Sequence, residues 1–184
     1  FKLNPDQTGF YRVKYQPENM SLLESAIRNG DLGDKDRLGL QGDAYALCRA
    51  GYSPVSSFLS LARSYSKEDK APVLSDLATN LRGIENLIEN QSYKGKYQEF
   101  CRDIFESPAR ISGWDASPHE EHQQSLFRST ALSNMGHYGD KDTLDEASKR
   151  FLEYVKNPDH VHPDIRSVVF NLTAKVGDGK TYKL

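Results

Sequence analysis

The 184 residues carry 24 Lys+Arg against 26 Asp+Glu, a formal net charge of −2, without the basic excess expected of a nucleic-acid binder. Hydrophobic residues make up 37% and aromatics 10%, too much apolar content for a disordered chain and enough for one globular domain, or one domain plus a fragment of another. Apolar runs of only a few residues exclude a bilayer-spanning segment, and two cysteines are too few for a disulfide framework, which favours a reduced intracellular protein.

The chain opens on Phe1 with no secretory signal. Phe1-Lys2-Leu3 and Phe10-Tyr11-Arg12-Val13-Lys14-Tyr15 read as strands, joined by the turn chemistry of Asn4-Pro5-Asp6-Gln7-Thr8-Gly9. Two strands alone are marginally stable in water, and nothing later resembles further sheet. Residues 1–15 are therefore expected to be the last strands of an upstream β domain, and the chain to be a fragment.

From residue 16 the apolar spacing is helical. Pro17 opens a first helix carrying Met20, Leu23 and Ile27, closed by Asn29-Gly30. Asp34 is expected to cap a second, with Leu40, Ala44 and Leu47 on one face and Gly51 as its stop. Ser53-Pro54, a cap followed by proline, introduces Val55, Phe58, Leu59 and Ala62. Pro72 opens a fourth with Val73, Leu77, Leu81, Ile84 and Ile88, and Tyr97, Phe100, Cys101, Ile104 and Phe105 mark a fifth. Ser117-Pro118-His119-Glu120 has the form of a capping box, so a sixth helix is expected from Pro118 to about Met135. Asp140 caps a seventh with Leu144, Ala147, Phe151 and Val155, stopped by Asn157-Pro158. Pro163 opens an eighth with Ile165, Val168, Leu172 and Val176, ended by Gly177. Short connections predict antiparallel helix pairs, an α-solenoid or an irregular bundle.

Few residues suggest chemistry. His119-Glu120-Glu121-His122 places its histidines i, i+3, one residue short of the i, i+4 spacing of a zinc-peptidase helix. It reads as a polar helix start whose glutamates complement the helix dipole. His160 and His162 flank one residue in a loop, with no neighbouring spacing that completes a metal site, and His137-Tyr138-Gly139-Asp140 reads as a turn. Cys48 and Cys101 sit on apolar helix positions, as small buried hydrophobes do. Gly177-Asp178-Gly179-Lys180 lacks the glycine and Ser/Thr placement of a phosphate loop. Asp36, Arg37 and Asp43 form a charged patch suited to ion pairs. Arg128 and Arg166 stand beside apolar residues on helices, either as structural ion-pair members or as anchors for a peptide carboxylate, which the planar guanidinium fork suits.

Taken in order, several segments resemble a known family. Gly9-Phe10-Tyr11-Arg12-Val13-Lys14-Tyr15 resembles the strand that closes the β-sandwich in zinc aminopeptidases of the puromycin-sensitive type. Asp36-Arg37-Leu38-Gly39-Leu40, Asp43-Ala44-Tyr45-Ala46-Leu47 and Ala50-Gly51 resemble that family's Asp-Arg helix. Gly113-Trp114, Glu121-His122, Leu126-Phe127-Arg128, Gly139-Asp140, Glu146-Ala147, Arg150-Phe151 and Pro163-Asp164-Ile165-Arg166 continue the likeness across the whole chain.

The resemblance implies a mainly α fold, with residues 1–15 as terminal strands of an upstream β-sandwich. Residues 16–184 would form a C-terminal capping domain of HEAT- or armadillo-like helix pairs, truncated at Thr181-Tyr182-Lys183-Leu184, which is similar to the start of another pair. It implies a parent that removes N-terminal amino acids from peptides with one zinc ion held upstream. None of the family's zinc-binding or exopeptidase motifs is in this sequence, so no catalytic or metal residue is expected here. The peptide would be held jointly with the catalytic domain of the same polypeptide, with Arg128 and Arg166 as candidate contacts. Neither a nucleic acid nor a membrane is an expected partner, and the location would be cytoplasmic. The competing reading is a stand-alone helical-repeat scaffold for a protein partner.

Overall fold

A computed structural model describes residues 1–117, 119–179 and 181. Among them eight α-helices form and no strand does: α1 (Pro17–Asn29), α2 (Asp34–Arg49), α3 (Val55–Arg63), α4 (Ala71–Leu87), α5 (Lys94–Ser112), α6 (His122–His137), α7 (Lys141–Lys156) and α8 (Pro163–Val176). Short 3₁₀ turns occupy Pro5–Gln7 and Pro158–His160. The mainly α class is as expected. The chain divides into two compact units, Phe1–Leu87 and Ile88–Leu184.

In the first unit the expected strands do not form. A strand needs a neighbouring strand to supply ladder partners, and here the backbone turns to side chains instead. The Leu3 amide donates to the Tyr15 hydroxyl at 2.9 Å and the Val13 amide to Asp43 at 3.0 Å. The turn between them coils into a 3₁₀ turn with Asn4, Asp6 and Gln7 all at positive φ.

The helix ends follow their residues. Pro17 is the first residue of α1, and Gly30, at φ 78, closes it with the Asp31 amide bonded back to the Ala26 carbonyl at 2.9 Å. Asp34 is the first helical residue of α2 behind Gly33, rather than its cap. Pro54, not Ser53, precedes the first residue of α3. Within the unit α2 packs on both α3 and α4, burying Leu40, Phe58, Leu61, Leu77 and Leu81. Each such side chain contributes about 1.5–3 kcal/mol by leaving water. Arg37 crosses this packing to Glu68, donating from Nε at 2.8 Å and from Nη2 at 2.7 Å.

In the second unit α5 packs on α6, and α6 and α7 both pack on α8. Phe105 of α5 stacks on Tyr138 with ring centroids 6.1 Å apart. Gly136 lets α6 approach α8 closely, since a Cβ there would stand 2.5 Å from Leu172 Cδ1. Val161, Ile165 and Val169 form a core lined by Trp114, Phe151, Tyr154 and Phe170. Asp140 caps α7 as expected, its Oδ2 accepting from the Thr143 amide at 2.9 Å and the Thr143 hydroxyl at 2.6 Å. Asp140→Ala should lower the stability of this unit by about 1 kcal/mol; a urea midpoint unchanged by the substitution would contradict that role.

The sixth helix departs from expectation. It starts at His122, with Glu121 rather than Ser117 at the N-cap position. Half of the capping box survives as a turn, the Ser117 amide donating to Glu120 Oε2 at 3.2 Å. Helical winding does not follow, because His119 sits at φ 65 and the Glu120 carboxylate is claimed by Arg128. The expected start at Pro118 lies outside the described residues, as do Lys180, Tyr182, Lys183 and Leu184.

Candidate functional site

The two candidate arginines both lie in the second unit. Arg128, in the second turn of α6, is 4% exposed. Its Nη1 donates to Glu120 Oε1 at 2.6 Å, its Nη2 pairs with Glu120 Oε2, and its Nε donates to the Ser112 carbonyl at 3.2 Å. This is a fork-to-fork pair, the geometry in which guanidinium and carboxylate bind most strongly. The Arg128 hydrogen bonds hold the Glu120 carboxyl below its ordinary value, against burial that pushes it up.

Arg166, on the first turns of α8, makes a different set of contacts. Its Nε donates to the Val161 carbonyl at 3.0 Å and its Nη2 to the Pro158 carbonyl at 2.9 Å, while its guanidinium lies 5.4 Å from the Tyr154 ring centroid. These partners brace the 157–162 connection without neutralising the charge. Between the arginines, Asp164 joins two helix starts: Ser125 donates to its carboxylate at 2.6 Å and Ser129 to its carbonyl at 3.0 Å.

A third arginine was legible only as part of the resemblance. Arg150 forks onto Asp115 at 2.7 and 3.1 Å, donates from Nε to Glu146 at 2.8 Å, and lies 5.3 Å from the Trp114 ring centroid. The Arg150 hydrogen bond lowers the Asp115 carboxyl. The Gly113-Trp114 and Arg150-Phe151 segments thus meet in one corner of the fold.

The histidines occupy structural positions. His119 stands in the turn before α6, and His122 is its first residue. His162 caps α8, its Nδ1 accepting from the Asp164 amide at 3.3 Å. Among the described residues no group of three or more His, Cys, Asp and Glu side chains is placed to hold a metal ion. A 510 Å³ groove in the first unit, lined by Tyr15, Met20, Tyr52, Pro54 and Phe58 among others, was not foreseen, because it is made by four separate stretches of chain. Sequence reasoning also missed Glu120 as the partner of Arg128. Its only signal was an acidic residue eight positions upstream, across a helix start.

Comparison with known proteins decides the relationship. Residues 1–183 match the model of the ERAP1-like C-terminal domain. The chain belongs to that family. It is 35% identical over 173 residues to Aminopeptidase M1-A of Oryza sativa subsp. japonica, covering 92% of this chain and 20% of that protein. It is 30% identical over 185 residues to Aminopeptidase 2 of Candida albicans, covering 99% of this chain and 20% of that protein. Puromycin-sensitive aminopeptidase of Caenorhabditis elegans is 27% identical over 179 residues, covering 96% of this chain and 19% of that protein. This ERAP1-like C-terminal domain therefore spans about a fifth of the length of these relatives. Among its described residues no helix is long and apolar enough to cross a membrane.

The lowered Glu120 carboxyl gives this domain an acid-sensitive element. A carboxyl held lower in the folded than in the unfolded state adds stability above its unfolded value of about 4.5. That stability is lost as pH falls through the folded value. The melting temperature of the second unit should therefore fall more steeply below pH 4.5 in the natural protein than in Glu120→Gln. Parallel profiles for the two proteins would remove Glu120 from the acid response.

Proposed function

We propose that this chain is the non-catalytic C-terminal capping domain of a zinc metallo-aminopeptidase that removes N-terminal amino acids from peptides. The observation that carries this reading is the family match over residues 1–183, supported by relatives named as aminopeptidases that are about five times longer. In this reading residues 1–15 belong to the end of an upstream β-sandwich. Residues 16–184 form the cap, as HEAT- or armadillo-like helix pairs of an α-solenoid enclosing the peptide cavity. The enzyme works in the cytoplasm.

Among the described residues no His, Cys, Asp and Glu group is placed to hold a metal ion; in this reading the zinc is held upstream, and no hydrolytic step is routed through these residues. A cap contributes by shape: it excludes water and limits which peptides reach the metal, and its closure is a domain motion coupled to turnover. The peptide is held jointly with the catalytic domain of the same polypeptide, and Arg166 and Arg128 are the candidate contacts for its C-terminal carboxylate. Arg166 is the better placed, because its partners are neutral carbonyls and an aromatic ring. Arg128 reaches a ligand only by exchanging Glu120.

The test uses the full-length protein. It should hydrolyse an aminoacyl nitroanilide, lose that activity to a chelator and regain it with zinc, whereas residues 1–184 alone should show no rate above buffer. Arg166→Ala should raise KM about tenfold for free peptides but not for C-terminally amidated ones, the loss of one charge-assisted contact. Hydrolysis by residues 1–184 that survives repurification would overturn the non-catalytic assignment. Equal KM changes for free and amidated peptides would return Arg166 to a bracing role.

A further inference from the structure

The first fifteen residues bury Asn4 but leave most of their large apolar side chains in solvent. Phe1 is 81% exposed, Phe10 fully so and Tyr11 56%, so burial of apolar surface does not hold this segment in place. Polar contacts do, most of them to one face of α2. Asp36 and Asp43, two helical turns apart and hence on the same side, each receive one side-chain cation and one backbone amide. Asp36 pairs with Lys2 Nζ at 2.8 Å and accepts from the Asp6 amide at 2.8 Å. Asp43 pairs with Arg12 Nη1 at 3.1 Å and accepts from the Val13 amide at 3.0 Å. Arg12 Nη1 also donates to the Gly42 carbonyl at 3.1 Å.

Between the two carboxylates, Gly39 leaves room for the Gln7 side chain; a Cβ at that position would lie 1.8 Å from Gln7 Nε2. The segment is held in a costly conformation, with Asn4, Asp6 and Gln7 in the left-handed region. Such backbone persists only where surrounding contacts over-determine it. Asn4 supplies some of them, its Oδ1 accepting from the Gly9 amide at 2.6 Å and its Nδ2 donating to the Gly9 carbonyl at 2.9 Å. The α2 carboxylates add four more, and Lys14 Nζ donates to the Tyr52 carbonyl at 2.6 Å.

We propose that the Asp36–Gly39–Asp43 face of α2 is a dedicated electrostatic docking site for residues 2–13 of the same chain, and that it fixes the path by which the segment joins the helical body. The site repeats one recognition unit, a carboxylate shared by a cation and an amide, at two points with a seat for Gln7 between them. It thereby fixes both position and direction, which a single ion pair does not. The docking does not depend on what the parent protein catalyses.

Hydrogen-exchange mass spectrometry on the full-length protein tests it, read on peptides covering residues 2–15 and on peptides from α2 and α4. In Asp36→Asn/Asp43→Asn the 2–15 peptides should exchange about tenfold faster, while α2 and α4 keep their protection, as expected for a locally opened segment. Lys2→Ala/Arg12→Ala, which leaves α2 untouched, should reproduce the effect, and Gly39→Val, which changes no charge, should do so around Gln7. Raising the salt should speed exchange in the natural protein and change little in either charge variant. Should the aspartate variant unfold the unit, Lys2→Ala/Arg12→Ala decides the matter. Unchanged exchange of the 2–15 peptides in that variant would overturn the docking site, as would loss of their protection only together with α2.

Discussion

Glu120→Ala is expected to lower the stability of the second unit by about 3–5 kcal/mol, the cost of leaving a buried ion pair with one member. The side chains of Arg128 and Glu120 are 5% and 7% exposed. Arginine cannot shed its proton to escape the penalty, and the alanine would leave Arg128 with the Ser112 carbonyl as its described partner. Arg128→Ala should cost a comparable amount, because a buried carboxylate then loses its counterion. Glu120→Leu/Arg128→Met should cost far less than the sum of the single changes, since burying neither charge avoids both desolvation penalties. Urea unfolding of the four proteins measures the cycle. A loss below about 1 kcal/mol for Glu120→Ala would mean that Arg128 finds water or another carboxylate.

Phe105→Ala should be of similar size, about 3–5 kcal/mol, by a different mechanism. Phe105 is fully buried and lies against Tyr138 with the rings 17° from parallel, so truncation removes both apolar burial and an aromatic contact. The side chain reaches from α5 to Tyr138, the residue after α6, and the cost rises with the cavity its loss leaves. Leu22→Ala, at a side chain 66% exposed, is the control and should change stability by less than about 0.5 kcal/mol. Denaturant midpoints of the two variants give the comparison. A small loss at Phe105 would show that α5 and α6 close over the cavity.

The helical body was legible because its signals are local. Pro17, Gly30, Asp140 and Pro163 punctuate the chain where helices begin and end, and spacings such as Val73, Leu77, Leu81 and Ile84 turned out to be a buried face. What failed were places where a distant residue overrode the local pattern. Ser117-Pro118-His119-Glu120 has the composition of a helix start, yet Glu120 is drawn to Arg128 and the helix begins later. Alternation at residues 10–15 predicted a strand, but within this chain the amide of Val13 bonds to a helix side chain. The arginines were visible as residues and invisible as pairs. Arg37 meets Glu68 across 31 positions and Arg150 meets Asp115 across 35, distances over which neither periodicity nor spacing carries information.

The corner where Arg150 lies over Trp114 has a spectroscopic consequence. Trp114 is the only tryptophan among the 184 residues, and it belongs to the second unit. Light absorbed by indole but not by tyrosine therefore excites a single reporter, beside a cation whose withdrawal changes its emission. Fluorescence so excited reports on the surroundings of Trp114, within residues 88–184, whereas circular dichroism sums the helices of both units. Recorded together during one denaturation, the two signals resolve whether the units melt as one cooperative body or in succession.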